Sequence, residues 1–469
     1  MAGKKPRQTA PGSNPLETEK ISKLLISFCI PSLASSLVTC AYNIVDQLFI
    51  GKLLGEVGNA ATNVVFPAVT LITALSLMCG VGPSNSMNIK RGRGDLKGAA
   101  KSVGGGFGIM ILCGLAVMIP MLIWTSPLLT LFGCTNEVLP YAQPYARIVS
   151  LSFVFSMIGA SGPFIIRADG APNFSLAVIA AGALLNIGLD ALFIYGFGWG
   201  IRGAAWATLI AQAVSTAMVV WYMRKRFRSF ELRLSDFSPD LKLYGRMAAV
   251  GAGPAFNFGT QALVQIFLNH ALKTYGDMSV YGSVSCLAVA GVANKVNTLA
   301  NAIVVGMTNG LQPISSFNFG RGNYGRVVEA AKKVIAIILI LGFVIFLCYQ
   351  LFPREITALF GDGSPEYFDF AERFFRIYFM LITLVGLQSS VAGFFTSQGK
   401  VRRAIFISLV RQVIFLPPLL VLLPKAFGLD GVLWAGPVSD LAMAVTAIWL
   451  FAREIRKLNE LEREKEVRI

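Results

Sequence analysis

The sequence predicts an all-α integral membrane protein of twelve transmembrane helices, arranged as two parallel-repeat six-helix lobes. Three observations predict it: the composition, the length of the apolar runs, and a likeness between the two halves of the chain. The 469 residues are 55% hydrophobic and only 14% charged, with positive mean hydropathy, a balance that leaves too little charge for a water-facing surface. The apolar runs reach about 20 residues or more, enough to cross hydrocarbon as helices. Similar segments recur about 228 residues apart.

In chain order, residues 1–23 are polar and lack the apolar core of a cleavable signal, so they are expected to form a disordered cytoplasmic tail. The N-lobe, 24–223, holds six spans at about 24–51, 57–87, 100–132, 139–166, 174–197 and 203–223. A basic cytoplasmic linker, 224–242, mixes charge with Phe residues and reads as a surface segment or short amphipathic helix. The C-lobe, 243–453, holds six more spans at about 243–273, 282–312, 330–353, 368–396, 402–425 and 431–453. A charged cytoplasmic tail, 454–469, closes the chain.

The net charge of +16 raises the question of nucleic acid, but its placement answers it. Lys90, Arg91, Arg93 and Lys97 mark one inner loop, Arg224, Lys225, Arg226 and Arg228 a second, and Lys400, Arg402 and Arg403 a third. The breaks near Gly133–Pro140 and Gly361–Glu372 are neutral to acidic. This is the positive-inside pattern with both termini in the cytoplasm, and the basic residues face anionic lipid rather than nucleic acid. The seven cysteines are scattered without metal or disulfide spacing, which points to packing roles.

The repeat is specific. Arg93-Gly94-Asp95 leads into Ala99-Ala100-Lys101 as Arg321-Gly322-Asn323 leads into Ala330-Ala331-Lys332. Gly203-Ala-Ala-Trp206-Ala207 returns as Gly431-Val-Leu-Trp434-Ala435, Asp169-Gly170 maps near Gln398-Gly399, and Pro31 matches Pro254. Six spans per half is an even number, so both halves enter the bilayer in the same direction, and alternating access between duplicated halves is the use this architecture suggests.

Ionisable groups inside a span cost about 2.5–3.5 kcal/mol each on insertion scales, so the few present are functional candidates. Asp46 lies late in the first span and Asp190 late in the fifth. Asn186 stands one helical turn before Asp190 on the same face, and Thr208, descending in the sixth span, reaches a similar depth. With Tyr42 these residues can converge on an oxygen-rich site for Na⁺ or a proton, and the residues do not choose between the two. The alternative is local pairing of the carboxylates with hydroxyls or a buried cation.

The C-lobe has no matching pair. Asn269 stands where Asp46 would, followed by His270, the only histidine, whose ordinary reading is a packed, hydrogen-bonded side chain. Lys295 and Asp440 also lie inside spans; mutual neutralisation or snorkelling is the plainer reading, a part in coupling the sharper one. Phe153, Phe155 and Phe164 are candidate cavity aromatics, against a packing role.

Two glycine signals mislead. Gly198-Trp-Gly200-Ile-Arg-Gly203 fits a dinucleotide fingerprint but has no preceding strand, and reads as a tight turn. Gly104-Gly105-Gly106 is followed by no phosphate-cradle Lys and suits close helix packing. No cofactor, nucleotide or enzymatic chemistry is indicated.

Taken together, Tyr42-Asn-Ile-Val-Asp46-Gln-Leu-Phe-Ile-Gly51, Ile166-Arg-Ala-Asp-Gly170, Asn186-Ile-Gly-Leu-Asp190, Gly203-Ala-Ala-Trp-Ala-Thr208, Gln312-Pro-Ile314 and Asn318-Phe-Gly320 make the chain resemble the multidrug and toxic compound extrusion (MATE) family. The likeness is to its bacterial branch, within the multidrug, oligosaccharide-lipid and polysaccharide exporter superfamily. It implies a secondary antiporter of the bacterial inner membrane, functional as a monomer, that exports amphipathic, often cationic small organic compounds against inward H⁺ or Na⁺. It also implies a cation site of Asp46, Tyr42, Asn186, Asp190 and Thr208, with Pro31 as the place where the first helix bends. The other reading within that superfamily is a lipid or lipid-linked oligosaccharide flippase, which calls for cavity cations such as Lys295 and Arg411.

Overall fold

Long apolar segments must satisfy their backbone groups internally in lipid, and they do so here as helices throughout. The computed structural model describes residues 14–360 and 364–467, with the side chains of residues 44, 46–60, 234 and 262 outside that description. Eight of the described helices are long and apolar enough to span a membrane. Two helix pairs, each bent by 49°, raise the number to ten when each pair is taken as one span.

The chain separates into two compact units. Unit 1 comprises residues 1–255 and 316–322, and unit 2 comprises 256–315 and 323–469. In unit 1, α1 (Ile21–Gly92) carries two candidate spans, Ile21–Asn43 and Ala61–Gly92. It is followed by α2 (Leu96–Ile123), the bent pair α3 (Leu139–Leu151) and α4 (Phe153–Ala168), α5 (Pro172–Asp190) and α6 (Gly200–Lys225). Helix α1 packs on α2, α4 and α5, and α4 packs on α6, around a core that includes Met87, Met110, Phe153 and Met157. Hydrophobic side chains on all sides of these helices explain why helical periodicity alone does not separate core from lipid face.

Helix α7 (Leu241–Gly276) and helix α8 (Gly282–Arg321) contribute to both units. Unit 2 continues with α9 (Tyr324–Leu351), the bent pair α10 (Pro365–Tyr378) and α11 (Ile382–Ser397), then α12 (Val401–Leu409) and α13 (Leu416–Val467). An aromatic group of Phe370, Phe374, Phe375, Tyr378, Phe379 and Tyr349 fills one part of the unit 2 core. A second core forms around Val391, Phe395 and Ile407.

Several expectations change at this level. The N-terminal tail is not disordered over its last turn: Asn14 caps a helix at Pro15–Thr18, and Leu16 is buried. Asn318 donates to the Leu16 carbonyl at 3.0 Å, and Glu17 pairs with Arg321 at 3.0 Å. The expected span 100–132 breaks at Trp124, one residue before a separate short helix at Thr125–Leu131. The linker holds only a 3₁₀ turn at Leu234–Phe237, with Phe227, Phe230 and Leu232 packed against the unit 1 core. Within α13 the break falls at Gly428, whose φ of 58° is the left-handed region that glycine enters without steric cost.

Backbone features repeat along with the sequence. Gly94 and Gly322, Gly170 and Gly399, and Gly200 and Gly428 all have positive φ, and the members of each pair lie 228 or 229 residues apart. Inside unit 1 the C-terminal ends of α1 and α8 meet backbone to backbone: a Cβ on Gly92 would stand 2.3 Å from the Phe317 carbonyl oxygen, and one on Gly320 would stand 2.1 Å from that of Ile89. Only glycine permits that approach.

Candidate functional site in unit 1

Helix α5 is apolar from Leu176 to Leu185, and its polar face begins at Asn186. Asn186 and Asp190 are each 1% exposed. With the Asn186 carboxamide turned so that its nitrogen meets the carboxylate, Nδ2 donates to Asp190 Oδ2 at 3.2 Å. Its Oδ1 then accepts from the Thr208 backbone N–H, also at 3.2 Å, so both ends of the amide are satisfied. The structure therefore joins three of the five sequence-predicted cation ligands, although Thr208 enters through its backbone. The Thr208 hydroxyl donates to the Ala204 carbonyl at 3.1 Å. Tyr42 is half-buried on α1, which packs against α5. The Asp46 side chain lies outside the described residues.

Immediately after Asp190 the backbone changes to a π-helical segment, Ala191–Gly196. One-turn π segments inside helices concentrate at functional sites, where they release a carbonyl from the regular ladder and re-aim neighbouring side chains. The turn that follows is built from Gly198 and Gly200, with φ of 65° and 56°, so the glycine pattern there is a loop device. Phe193 stacks on Trp199 at 5.0 Å and on Phe197 at 5.8 Å, an aromatic cluster suited to a membrane boundary.

Pro31 lies within α1, where its ring removes one backbone donor. The hydroxyls around it bond back to carbonyls one turn earlier: Ser35 to Pro31 at 2.7 Å and Ser32 to Phe28 at 2.6 Å. Back-bonds of this kind favour local bending of a helix.

The other candidates separate. Asn269 accepts from Gln265 at 2.8 Å, and both it and His270 are exposed, so the packed reading of the histidine does not hold. Lys295 is exposed and faces the Phe360 ring at 6.0 Å. Neutralisation of Asp440 by Lys295 is thereby corrected: Asp440 pairs instead with Arg411 at 2.5 Å, the two side chains being 2% and 12% exposed. A guanidinium engaged by a carboxylate is no longer a free cation for a lipid phosphate, which removes half of what the flippase reading called for. Phe153 is buried in the core, Phe164 lies under the Arg167 guanidinium at 5.3 Å, and Phe155, two residues from Phe153 and thus on another face of α4, is exposed. The three rings do not form one wall.

Two polar clusters were not singled out in the sequence. At the C-terminal end of α4, the Asp169 carboxylate accepts from Tyr222 at 2.7 Å and from the Ser229 backbone N–H at 2.9 Å, and also from the Ser229 hydroxyl. Burial pushes this carboxyl above its ordinary value, against the opposing pull of Ser229, Tyr222 and Arg91. In unit 2, Glu454 is fully buried and pairs with Lys400 and Arg403. An acid so near the apparent end of the last span looked like part of a solvated tail, and only the packing of α13 reveals it as internal.

Comparison with known proteins gives the same direction. The MatE family profile matches residues 31–192 and 247–421, most of the chain and both halves of the repeat. The chain belongs to the MatE family. It is a multi-pass membrane transporter of a multidrug-efflux family, not an enzyme. It is 23% identical over 437 residues to the multidrug export protein MepA of Staphylococcus aureus, covering 92% of this chain and 94% of that protein. Against MepA of Staphylococcus saprophyticus the identity is 24% over 434 residues, with the same coverage. Among solved structures, an outward-facing multidrug resistance MATE transporter of the MOP superfamily superposes with a TM-score of 0.88 at 22% identity, covering 97% of this chain and 100% of the other. That likeness shows the fold.

Proposed function

We propose that this MatE chain is a bacterial multidrug exporter that exchanges amphipathic, often cationic organic compounds for H⁺ or Na⁺ by alternating access, with twelve spans in two parallel six-helix lobes and both termini cytoplasmic. Three findings support this beyond family membership: the repeat of bent spans and positive-φ glycines, the positive-inside charge pattern, and relatives named for multidrug export. The spans over 24–223 and 243–453 would be its two lobes, joined by the linker 224–242.

The observation that carries the coupling is the buried Asn186–Asp190–Thr208 cluster at the start of a π-helical segment. A buried carboxylate held by a carboxamide is suited either to exchange a proton or to ligate Na⁺ through oxygens. Asp46 and Tyr42 would complete the set from the first helix, and Pro31 would let that helix move when the site fills. Phe164, facing the Arg167 guanidinium, is a candidate for the pathway wall.

The test is dye efflux in everted membrane vesicles with the pH and Na⁺ gradients imposed separately. Collapse of one gradient should abolish efflux by the wild type, and Asp190→Asn should remove that dependence together with most of the transport. Efflux by Asp190→Asn that keeps both its rate and its ion dependence would sink the assignment.

A further inference from the structure

Among the ion pairs of the described residues, Arg411–Asp440 alone stands deep within spanning helices. Arg411 is about 15 Å along its helix from Val401, counted at 1.5 Å per residue, and Asp440 is about 14 Å from Gly431 on the same measure. The pair is thus held near mid-membrane from both sides. It sits in unit 2, where Arg411 belongs to a π-helical segment, Val410–Phe415. Tyr378 of α10 lies within electrostatic reach of both charges, and the buried Gln412 Oε1, next to Arg411 in the chain, has no hydrogen-bond partner.

The repeat gives the corresponding positions. Counting back 228 residues, Arg411 falls on Ala183 and Asp440 on Gln212, so unit 1 has two neutral residues where unit 2 has a pair of opposite charges. Counting forward, Asn186, Asp190 and Thr208 fall on Ile414, Pro418 and Gly436, so the unit 1 cluster has no copy in unit 2. Each unit therefore buries an intramembrane acid beside a π-helical segment, but the company differs. The Asn186 carboxamide, itself held by the Thr208 backbone N–H, stands against Asp190, whereas a guanidinium stands against Asp440.

We propose that Arg411 is a tethered counter-ion: it supplies the positive charge that the buried Asp440 requires, so that unit 2 binds no coupling cation of its own. The chemistry is direct. A carboxylate in a low-dielectric setting requires a positive partner, and a permanently charged, covalently attached one excludes a mobile one. Arg411 is on this view a positioning residue that fixes the coupling order at one site per transporter. The inference rests on the cation coupling proposed for unit 1.

The experiment measures the order of dye efflux in the coupling cation, in proteoliposomes holding the purified full chain, over the range in which wild-type efflux rises with pH gradient or Na⁺. Wild type and Arg411→Lys should be first order. In Arg411→Met, Asp440 loses its tethered partner and must recruit a mobile cation, so efflux should become second order. A tenfold fall in cation activity would then cost about a hundredfold in rate instead of about tenfold. The double variant Arg411→Met/Asp440→Leu removes both charges and should return to first order, which also keeps the test decisive if the single variant fails to fold. Retention of first-order behaviour in a folded Arg411→Met would overturn the inference, as would second-order behaviour in the double variant. Wild-type efflux indifferent to both cations would instead sink the coupling reading of unit 1, an outcome separable from the first two.

Discussion

The backbone crossing at Gly92 and Gly320 offers a test with an internal control. An alanine at 320 would place its Cβ 2.1 Å from the Ile89 carbonyl oxygen, a backbone atom that cannot swing away as a side-chain tip could. Restoring a contact of about 3.2 Å requires the two helices to part by roughly 1 Å, and overpacking of this kind costs about 1–3 kcal/mol. Gly245 supplies the control, because a Cβ there meets nothing within 4 Å. At such a site Gly→Ala stabilises by about 0.4–1 kcal/mol through the unfolded chain. The same substitution should therefore change sign between two helical glycines of one protein.

If export requires this crossing to form and separate in each cycle, the cost at Gly320 enters the balance between access states, and 1–3 kcal/mol corresponds to a shift of roughly 5- to 150-fold. The assay is paired: thermal unfolding of the detergent-purified variants, and initial dye efflux at matched membrane abundance. Gly320→Ala should unfold at lower temperature than wild type and export more slowly, while Gly245→Ala should unfold at equal or higher temperature and export normally. Indistinguishable behaviour of the two variants in both measurements would refute the argument from close approach.

Three further outcomes are expected. Because burial raises the Asp169 carboxyl above its ordinary 3.8, the native state holds that proton more tightly than the unfolded chain does. The associated stabilisation is present below that value and is lost as pH rises through the folded value, so the wild-type unfolding temperature relative to Asp169→Asn should fall with rising pH in the acidic range; a constant difference would contradict this. Glu454→Ala removes the carboxylate that Lys400 and Arg403 share on α13, and since these two are 25% and 39% exposed, the loss should sit near or below the lower end of the roughly 3–5 kcal/mol seen for fully buried pairs, read as a lowered denaturation midpoint. By contrast, the Arg354 contacts to Asp369 and Glu372 are solvent-exposed and screened by salt, so Arg354→Ala should leave the unfolding temperature nearly unchanged in 1 M salt.

Much of the helical fold was legible because membrane insertion writes a coarse signal: long apolar runs broken by charged turns. Asn186 and Asp190 were legible for a related reason, since an acid inside such a run is rare enough to stand out, and a four-residue spacing places both on one face. The Arg411–Asp440 pair was only half legible. Both residues stand out as intramembrane charges, but choosing between Lys295 and Arg411 as partner needs the rotation of α12 about its axis, and the π segment at Val410–Phe415 changes that rotation locally. Glu454 was hidden because hydropathy cannot distinguish a helix that runs on into solvent from one whose last turns are packed. Likewise the docking of Leu16 and Glu17 onto the end of α8 depends on contacts about 300 residues apart in sequence, for which no local pattern exists.

The duplicated scaffold and the unduplicated polar groups call for one physical account. Turn glycines and bent spans are demanded by backbone geometry, which both halves must satisfy to cross the same bilayer, so Gly94 and Gly322 or Gly200 and Gly428 have little freedom to diverge. Buried charge is constrained differently: a membrane interior tolerates an acid only if its company neutralises it, but a mobile cation and a fixed guanidinium serve that purpose equally well. A guanidinium placed against Asp440 keeps unit 2 neutral without an exchangeable ion, whereas Asp190, held by Asn186, leaves that role to a mobile one. With Arg411 fixed beside Asp440, a single cation-binding event, in unit 1, sets the balance between access states. On that account the asymmetry follows from the electrostatics of burial, and the residue whose change would add a second binding event is Arg411 rather than any position in unit 1.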